Sequence, residues 1–113
     1  MPGRNRVLSI GWSSRAIGDL TRIESYWLGQ NPAILPSVLQ AILARVTWIG
    51  DDHASIGSPV PELPTTYRSQ LERAYGYKVS YRVNGDPPTS VTIITIRHAM
   101  QRPLSPSPIR RYS

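Results

Sequence analysis

Over residues 7–12 apolar and small residues alternate. Leu8, Ile10 and Trp12 fall on one side and Ser9 and Gly11 on the other, the period of a half-buried strand. The period then lengthens. Ala16, Leu20, Ile23 and Trp27 recur at steps of four, three and four, one apolar face of an amphipathic helix, with Ser13 and Ser14 offering its N-cap. Arg15, Asp19, Arg22 and Ser25 are assigned to the other faces, and the helix is expected to end near Gly29-Gln30, with Gly29 in a left-handed cap. Asn31-Pro32 opens a second helix, whose stripe is Leu35, Leu39, Ile42, Val46 and Ile49, widened by Val38, Leu43 and Trp48. Pro36 lies one turn inside, so this helix either starts there or has a distorted first turn. Gly50-Asp51-Asp52 stops it. The short link between the helices predicts an antiparallel hairpin.

Residues 51–66 hold Gly57, Pro59, Pro61 and Pro64 without periodicity and read as a long loop. Period two returns at Tyr67, where Tyr67, Ser69 and Leu71 alternate with Arg68, Gln70 and Glu72. After Gly76, Tyr77, Val79, Tyr81 and Val83 alternate with Lys78, Ser80 and Arg82. Residues 84–88, Asn-Gly-Asp-Pro-Pro, make a turn. Val91, Ile93, Ile94 and Ile96 then occupy both parities, as in a strand buried on both faces, and Arg97-His98 close it. The expected fold is α+β with the order β-α-α-β-β-β: a helical hairpin on one face of a mostly antiparallel sheet, the other face free to be polar. Residues 1–103 are taken as one domain, which opens with a loose basic leader (1–6) and is followed by a basic, Pro/Ser-rich flexible tail (104–113).

Composition narrows the chemistry. At 113 residues the chain suits one domain and one core. The absence of Cys excludes a disulfide scaffold, a thiol nucleophile and Cys-ligated zinc. No run is judged to approach the ~20 apolar residues of a membrane span, so a cytoplasmic protein without membrane association is expected. Net charge is +6, with Lys78 the single Lys among the basic residues. Residues 57–113 carry eight basic residues against three acids, which points to an anionic partner.

Glycine-rich phosphate loops and nucleophile-elbow sequences are missing. His53 and His98 stand 45 residues apart with no carboxylate at ligand spacing, so neither a metal nor a cofactor is expected. What remains is a cationic set on the predicted strands and after them: Arg68, Arg73, Lys78, Arg82, Arg97, His98 and Arg102. Lys78 and Arg82 share a strand face opposite Tyr77, Val79 and Tyr81, a surface suited to phosphates or to simple solubility. His98, beside Arg97, is a candidate general acid or base, or a strand-end cap. Trp12, Trp27 and Trp48 are assigned to the core.

The order of these elements resembles the RelE/ParE superfamily of type II toxin–antitoxin toxins. GWSSRAIGDLTRIESYW resembles the family's opening strand and first helix, and NPAILPSVLQAI the Asn-Pro start of its second. TYRSQL, GYKVSYRV and VTIITIRHAMQRP resemble its closing strands and His-containing end. The resemblance covers about residues 7–103. It implies a growth-inhibiting toxin of the kind associated with plasmid stabilisation, held in a hetero-oligomer by a cognate antitoxin. RelE-like members cut mRNA on the ribosome; ParE-like members poison DNA gyrase. On that template Lys78 takes the place of a catalytic Arg, Arg68 resembles a family Arg on the second strand, and His98 lies near the C-terminal catalytic position. The Lys-Leu-Lys-Gly stretch of many RelE-like chains is replaced by PELPTTYRSQL, and RHAMQRP is closer to ParE-like endings.

A gyrase inhibitor without catalysis is therefore the first reading. Arg82, Arg97 and Arg102 would contact the target, and Tyr26 and Leu28 on the helical hairpin would contact the antitoxin. The second reading is a ribosome-dependent endoribonuclease with His98, Arg68 and Lys78 catalytic. A third is a non-toxic interaction module.

Overall fold

A computed structural model describes residues 7–100; the leader, Arg102 and the tail 104–113 lie outside the described residues. Its elements run β1 (Ser9–Trp12), α1 (Ser14–Gln30), α2 (Leu35–Gly50), β2 (Ser58–Pro59), β3 (Tyr67–Glu72), β4 (Tyr77–Asn84) and β5 (Ser90–His98). The strands form one five-stranded sheet in the order β1-β5-β4-β3-β2. Every pairing is antiparallel except that of β1 with β5. The expected α+β architecture is present, with one strand more than predicted. β2 is that strand: the loop 51–66 is ordered, makes a 3-10 turn at Ala54–Ile56 and pairs Ser58 and Pro59 with β3.

Ser13 caps α1, its Oγ accepting from Ala16 N at 3.0 Å and donating to Ile94 O at 2.8 Å. One hydroxyl thus starts the helix and ties it to the sheet centre. Ser13→Ala is expected to cost about 1–2 kcal/mol, the upper part of the N-cap range, because a tertiary hydrogen bond goes with the cap; denaturant melts check this. α1 ends at Gln30, where the sequence places its end, but Gly29 stays helical instead of taking a left-handed cap: the cap is Asn31, at φ −162°, whose N–H bonds Trp27 O. The Pro36 conflict is resolved by a 3-10 turn at Pro32–Ile34, after which α2 begins at Leu35 with Pro36 in its first turn, where no amide hydrogen is needed.

The main core lies between the helices and one sheet face. Val38, Ile42, Val46 and Ile49 of α2 meet Val79, Tyr81, Val91 and Ile93, and Ala16 and Ile23 of α1 join them. The segment Pro32–Gly50 is long and apolar enough to cross a membrane by length and composition, a stretch that the sequence reading passed over. In the fold it is the core helix, with Val38, Ile42 and Ile49 at 0% exposure. Trp12 and Trp27 pack against the core, whereas Trp48 is 44% exposed and stacks on His53, ring centroids 3.5 Å apart.

The apolar run in β5 owes its mixed parity to a bulge. Ser80 pairs Thr95 but Tyr81 pairs Ile93, leaving Ile94 as the extra residue. Val91, Ile93 and Ile96 face the helices, while Ile94 packs with Tyr67, Val60 and Leu63 in a second cluster. The outer sheet face is therefore not simply polar, as had been expected.

Candidate functional site

Register sorts the cations. Directly paired residues share a sheet face. Arg68 pairs Tyr81, and His98 pairs Tyr77, so both lie on the helix side. Lys78 pairs Leu71 on one flank and Arg97 on the other, and Arg82 pairs Tyr67 and Thr92, so these lie on the outer side. Arg73 sits in the β3–β4 turn. The proposed trio Arg68, Lys78 and His98 is thus divided between the faces, while Lys78 and Arg97 are brought together as cross-strand neighbours.

Arg68 has a structural task. Its Nη1 donates to Gly57 O at 2.7 Å. Beside it, Tyr81 Oη donates to Ala54 O at 2.5 Å, and Gln70 Nε2 donates to His53 O at 2.9 Å and Tyr81 Oη at 3.2 Å. Arg45 Nη1 completes the set by donating to Gln70 Oε1 at 3.2 Å. This network straps residues 53–57 onto the sheet and gives buried polar atoms their partners. The inward positions of β3 are Arg68, Gln70 and Glu72, not the Tyr67, Ser69 and Leu71 set that alternation alone singles out; Leu71 is 39% exposed. Burial pushes the Tyr81 phenol above its ordinary value of 10.0, against the opposing hydrogen bonds from Gln70 and Gly57 and the nearby charge of Arg68.

His98 stands at the mouth of a cleft of about 770 Å³ between α1 and the end of β5, lined among others by Arg15, Arg22, Tyr26, Trp27, Tyr75, Tyr77 and Arg97. Its ring meets Tyr77 edge to face, centroids 5.3 Å apart, and its Nδ1 accepts from Met100 N at 3.1 Å. That bond assigns the proton of a neutral imidazole to Nε2. Gly76, at φ +83°, closes the adjoining turn, and a Cβ there would stand 3.1 Å from Nε2. The buried Glu72 carboxylate holds the same turn by accepting from Ala74 N and Tyr75 N. Across the cleft, Trp27 Nε1 donates to Tyr77 Oη at 2.9 Å, and the Trp27 ring meets those of Tyr26 and Tyr75 edge-on.

The residue that the sequence reading misplaced is Asp19. It is 4% exposed rather than on an outer face. Its Oδ2 accepts from Ile96 N at 2.9 Å, and its Oδ1 pairs with Arg15 Nε at 3.1 Å and with Arg22 Nη2. β1 pairs only the Ser90–Ile93 half of β5, so Asp19 satisfies a strand amide beyond the end of β1. The signal was present: Asp19 follows Ala16 by three and precedes Ile23 by four, on the same face, with Arg at i−4 and i+3. One carboxylate between two guanidiniums leaves this side of the cleft positive. Among the described residues no group of His, Asp and Glu is arranged to hold a metal ion.

Tyr26 on the cleft lining and Leu28 outside it are 56% and 55% exposed, and Ile17 and Leu43 add further uncovered apolar surface to the helical layer.

No family model matches the sequence, and no curated protein matches it. Solved structures do match the fold. A chain of the chromosomal ParDE TA system from P. aeruginosa superposes with a TM-score of 0.66 at 20% identity, covering 82% of this chain and 97% of that one. The toxin-antitoxin complex RelBE2 from Mycobacterium tuberculosis gives 0.54 at 21% identity, over 81% and 91% of the two chains. The isolated E. coli RelE toxin gives 0.53 at 15% identity, over 93% and 98%. Helical pair, five-stranded mixed sheet and strand order together are the RelE/ParE toxin fold, and this chain has that fold.

Proposed function

We propose that the chain is the toxin of a type II toxin–antitoxin pair, that it inhibits DNA gyrase by binding rather than by cutting RNA, and that a cognate antitoxin neutralises it. The observation that carries this reading is the separation of Arg68, Lys78 and His98 across the two sheet faces, with Arg68 committed to Gly57 O. Phosphodiester cleavage needs acid, base and charge-stabilising groups around one phosphate. Arg82, Arg97 and Arg102 are the proposed target contacts. Similarity to a ParDE chain along 97% of its length agrees with it. For the antitoxin, the exposed apolar residues Tyr26 and Leu28 offer a docking surface on the helices, and the +6 net charge suits an acidic chain that orders on binding.

The endoribonuclease remains as second reading on one specific observation: His98 shares its cleft with Arg15 and Arg22. In that case these arginines, not Arg68 and Lys78, would stabilise the phosphorane. Induced expression in bacteria decides between the two. SOS induction with intact mRNA is the expected result. Rapid ribosome-dependent mRNA cleavage that is abolished by His98→Ala reverses the order, and normal growth with neither signal removes the toxin reading.

A further inference from the structure

We propose that the outward face of α2 is a self-association surface, on which a second copy of the chain packs its own α2 antiparallel about a twofold axis at Ala44. The proposal rests on neither the gyrase nor the nuclease reading.

α2 has 16 residues and one charge, Arg45, whose Nη1 is turned to Gln70 Oε1 at 3.2 Å. Every exposed position of the helix is therefore uncharged. Among these, Ser37, Gln40, Ala44 and Thr47 recur at steps of three, four and three, a straight seam along the helix. Leu43 and Trp48 flank it at 46% and 44% exposure. Beside the seam runs a groove of about 410 Å³ between α2 and the β3–β4 turn, lined by Ala41, Ala44 and Ala74 among others. Small side chains on the seam and in the groove let a second helix approach closely.

Charge selects the occupant. An acidic segment finds no counter-charge on this face, whereas α1 exposes Arg22. A second copy of a chain with net charge +6 is best met on a surface free of its cations. The two ends of the seam are also complementary. α2 begins with neither a side-chain cap nor an acid in its first turn, so the positive end of its dipole is uncompensated. Directly past its other end stand the exposed Asp51 and Asp52. In an antiparallel pair centred on Ala44, residues equally far before and after Ala44 face each other. Asp51 of each copy then lies at Ser37 of the other, over the start of its α2, and each Trp48 lies over Gln40 at the edge of the other groove. A parallel pair would set Asp51 against Asp51. The footprint, about 24 by 10 Å, is smaller than that of a permanent dimer, so a Kd on the order of 100 μM is expected.

The test is sedimentation equilibrium of the full-length chain, made by cell-free synthesis, from roughly 10 μM to 1 mM. The mean mass is expected to rise from 12.6 kDa toward twice that value. Ala44→Glu sets two carboxylates together at the axis and should weaken association at least about tenfold. Because Ala44 is exposed, the Tm of this variant should stay within ~3 °C of the parent. Ser37→Lys meets the partner's carboxylate and should tighten the pair about threefold, and Asp51→Lys should loosen it. The chain has no Cys, so Ala44→Cys places one thiol at the axis; it should form a disulfide-linked dimer at least about tenfold faster than Thr21→Cys on α1. A mass constant at 12.6 kDa over that range overturns the proposal. So does association that Ala44→Glu leaves intact, which places the contact elsewhere. Weakening by Ser37→Lys excludes the antiparallel register and overturns it too. Cosedimentation with phosphatidylcholine vesicles in place of dimerisation assigns the face to lipid, with the same consequence. Loss of SOS induction in the cellular assay would leave it standing.

Discussion

Asp19→Ala is expected to destabilise the fold by about 3 kcal/mol, the lower end of the range for breaking a buried ion pair. Two losses combine. The Ile96 amide, beyond the end of β1, loses its charge-assisted acceptor, and an unpaired buried amide costs about 1–3 kcal/mol. Arg15 loses the counter-charge beside its buried Nε. Arg22 softens the penalty because it is 61% exposed and water can replace the carboxylate. The expected fall in Tm is on the order of 10–20 °C for a domain of this size. Asp19→Asn keeps an oxygen for Ile96 N and should lose less than half as much. Equal losses for the two variants would mean that the charge, not the amide bond, holds α1 to β5. A change in Tm of less than ~3 °C for Asp19→Ala would refute the anchoring role altogether.

Gly57→Ala should cost about 2–3 kcal/mol, at the upper end of overpacking penalties. The backbone at Gly57 is ordinary, φ −62° and ψ 158°, so the penalty is steric and not conformational. An added Cβ would stand 2.3 Å from Tyr81 Oη and 2.8 Å from Ser69 O. Tyr81 cannot retreat, being at 0% exposure with its hydroxyl bonded to Ala54 O. Tyr81→Phe alone should cost about 1–2 kcal/mol, since it removes the donor to Ala54 O and the acceptor for Gln70. The double variant should lose less than the sum, because the phenylalanine removes the atom that the new methyl strikes. Strict additivity would count against this account of the strap.

The same phenol supplies a pH test. Burial raises its folded pKa above 10.0, so above pH 10 the unfolded chain releases this proton while the folded one retains it. Stability is then complete below pH 10 and declines as pH rises beyond it. Unfolding midpoints of the parent and of Tyr81→Phe, measured between pH 8 and 11, should converge at the alkaline end. Parallel curves would exclude Tyr81 as the source.

The elements were legible because their determinants are local. The cap at Ser13, the stripe of α2, the turns at Gly76 and Gly85 and the period-two run of β4 each depend on residues within a few positions of one another. The site was legible only in part. His98 was picked out as a strand-end imidazole, and it does line the cleft, but the arginines beside it come from α1, over seventy positions earlier. The charge of Asp19 argues for an outer face, whereas its place in the α1 stripe puts it inside. Arg68 and Lys78 look alike in the sequence, both cations on strands, whereas pairing puts one under the helices and the other on the far side.

Amino-acid order by itself determined the α+β class, the succession of strand and helix, the core stripe of α2 and a cationic chain suited to an anionic partner. Only the tertiary structure decided which cations meet. A strand's alternation divides its own side chains between two faces, but which face lies under the helices depends on register with its neighbours. Here one bulged residue, Ile94, resets that register, and a strap from residues 53–57 makes polar inward positions on β3 tolerable by supplying their hydrogen-bond partners.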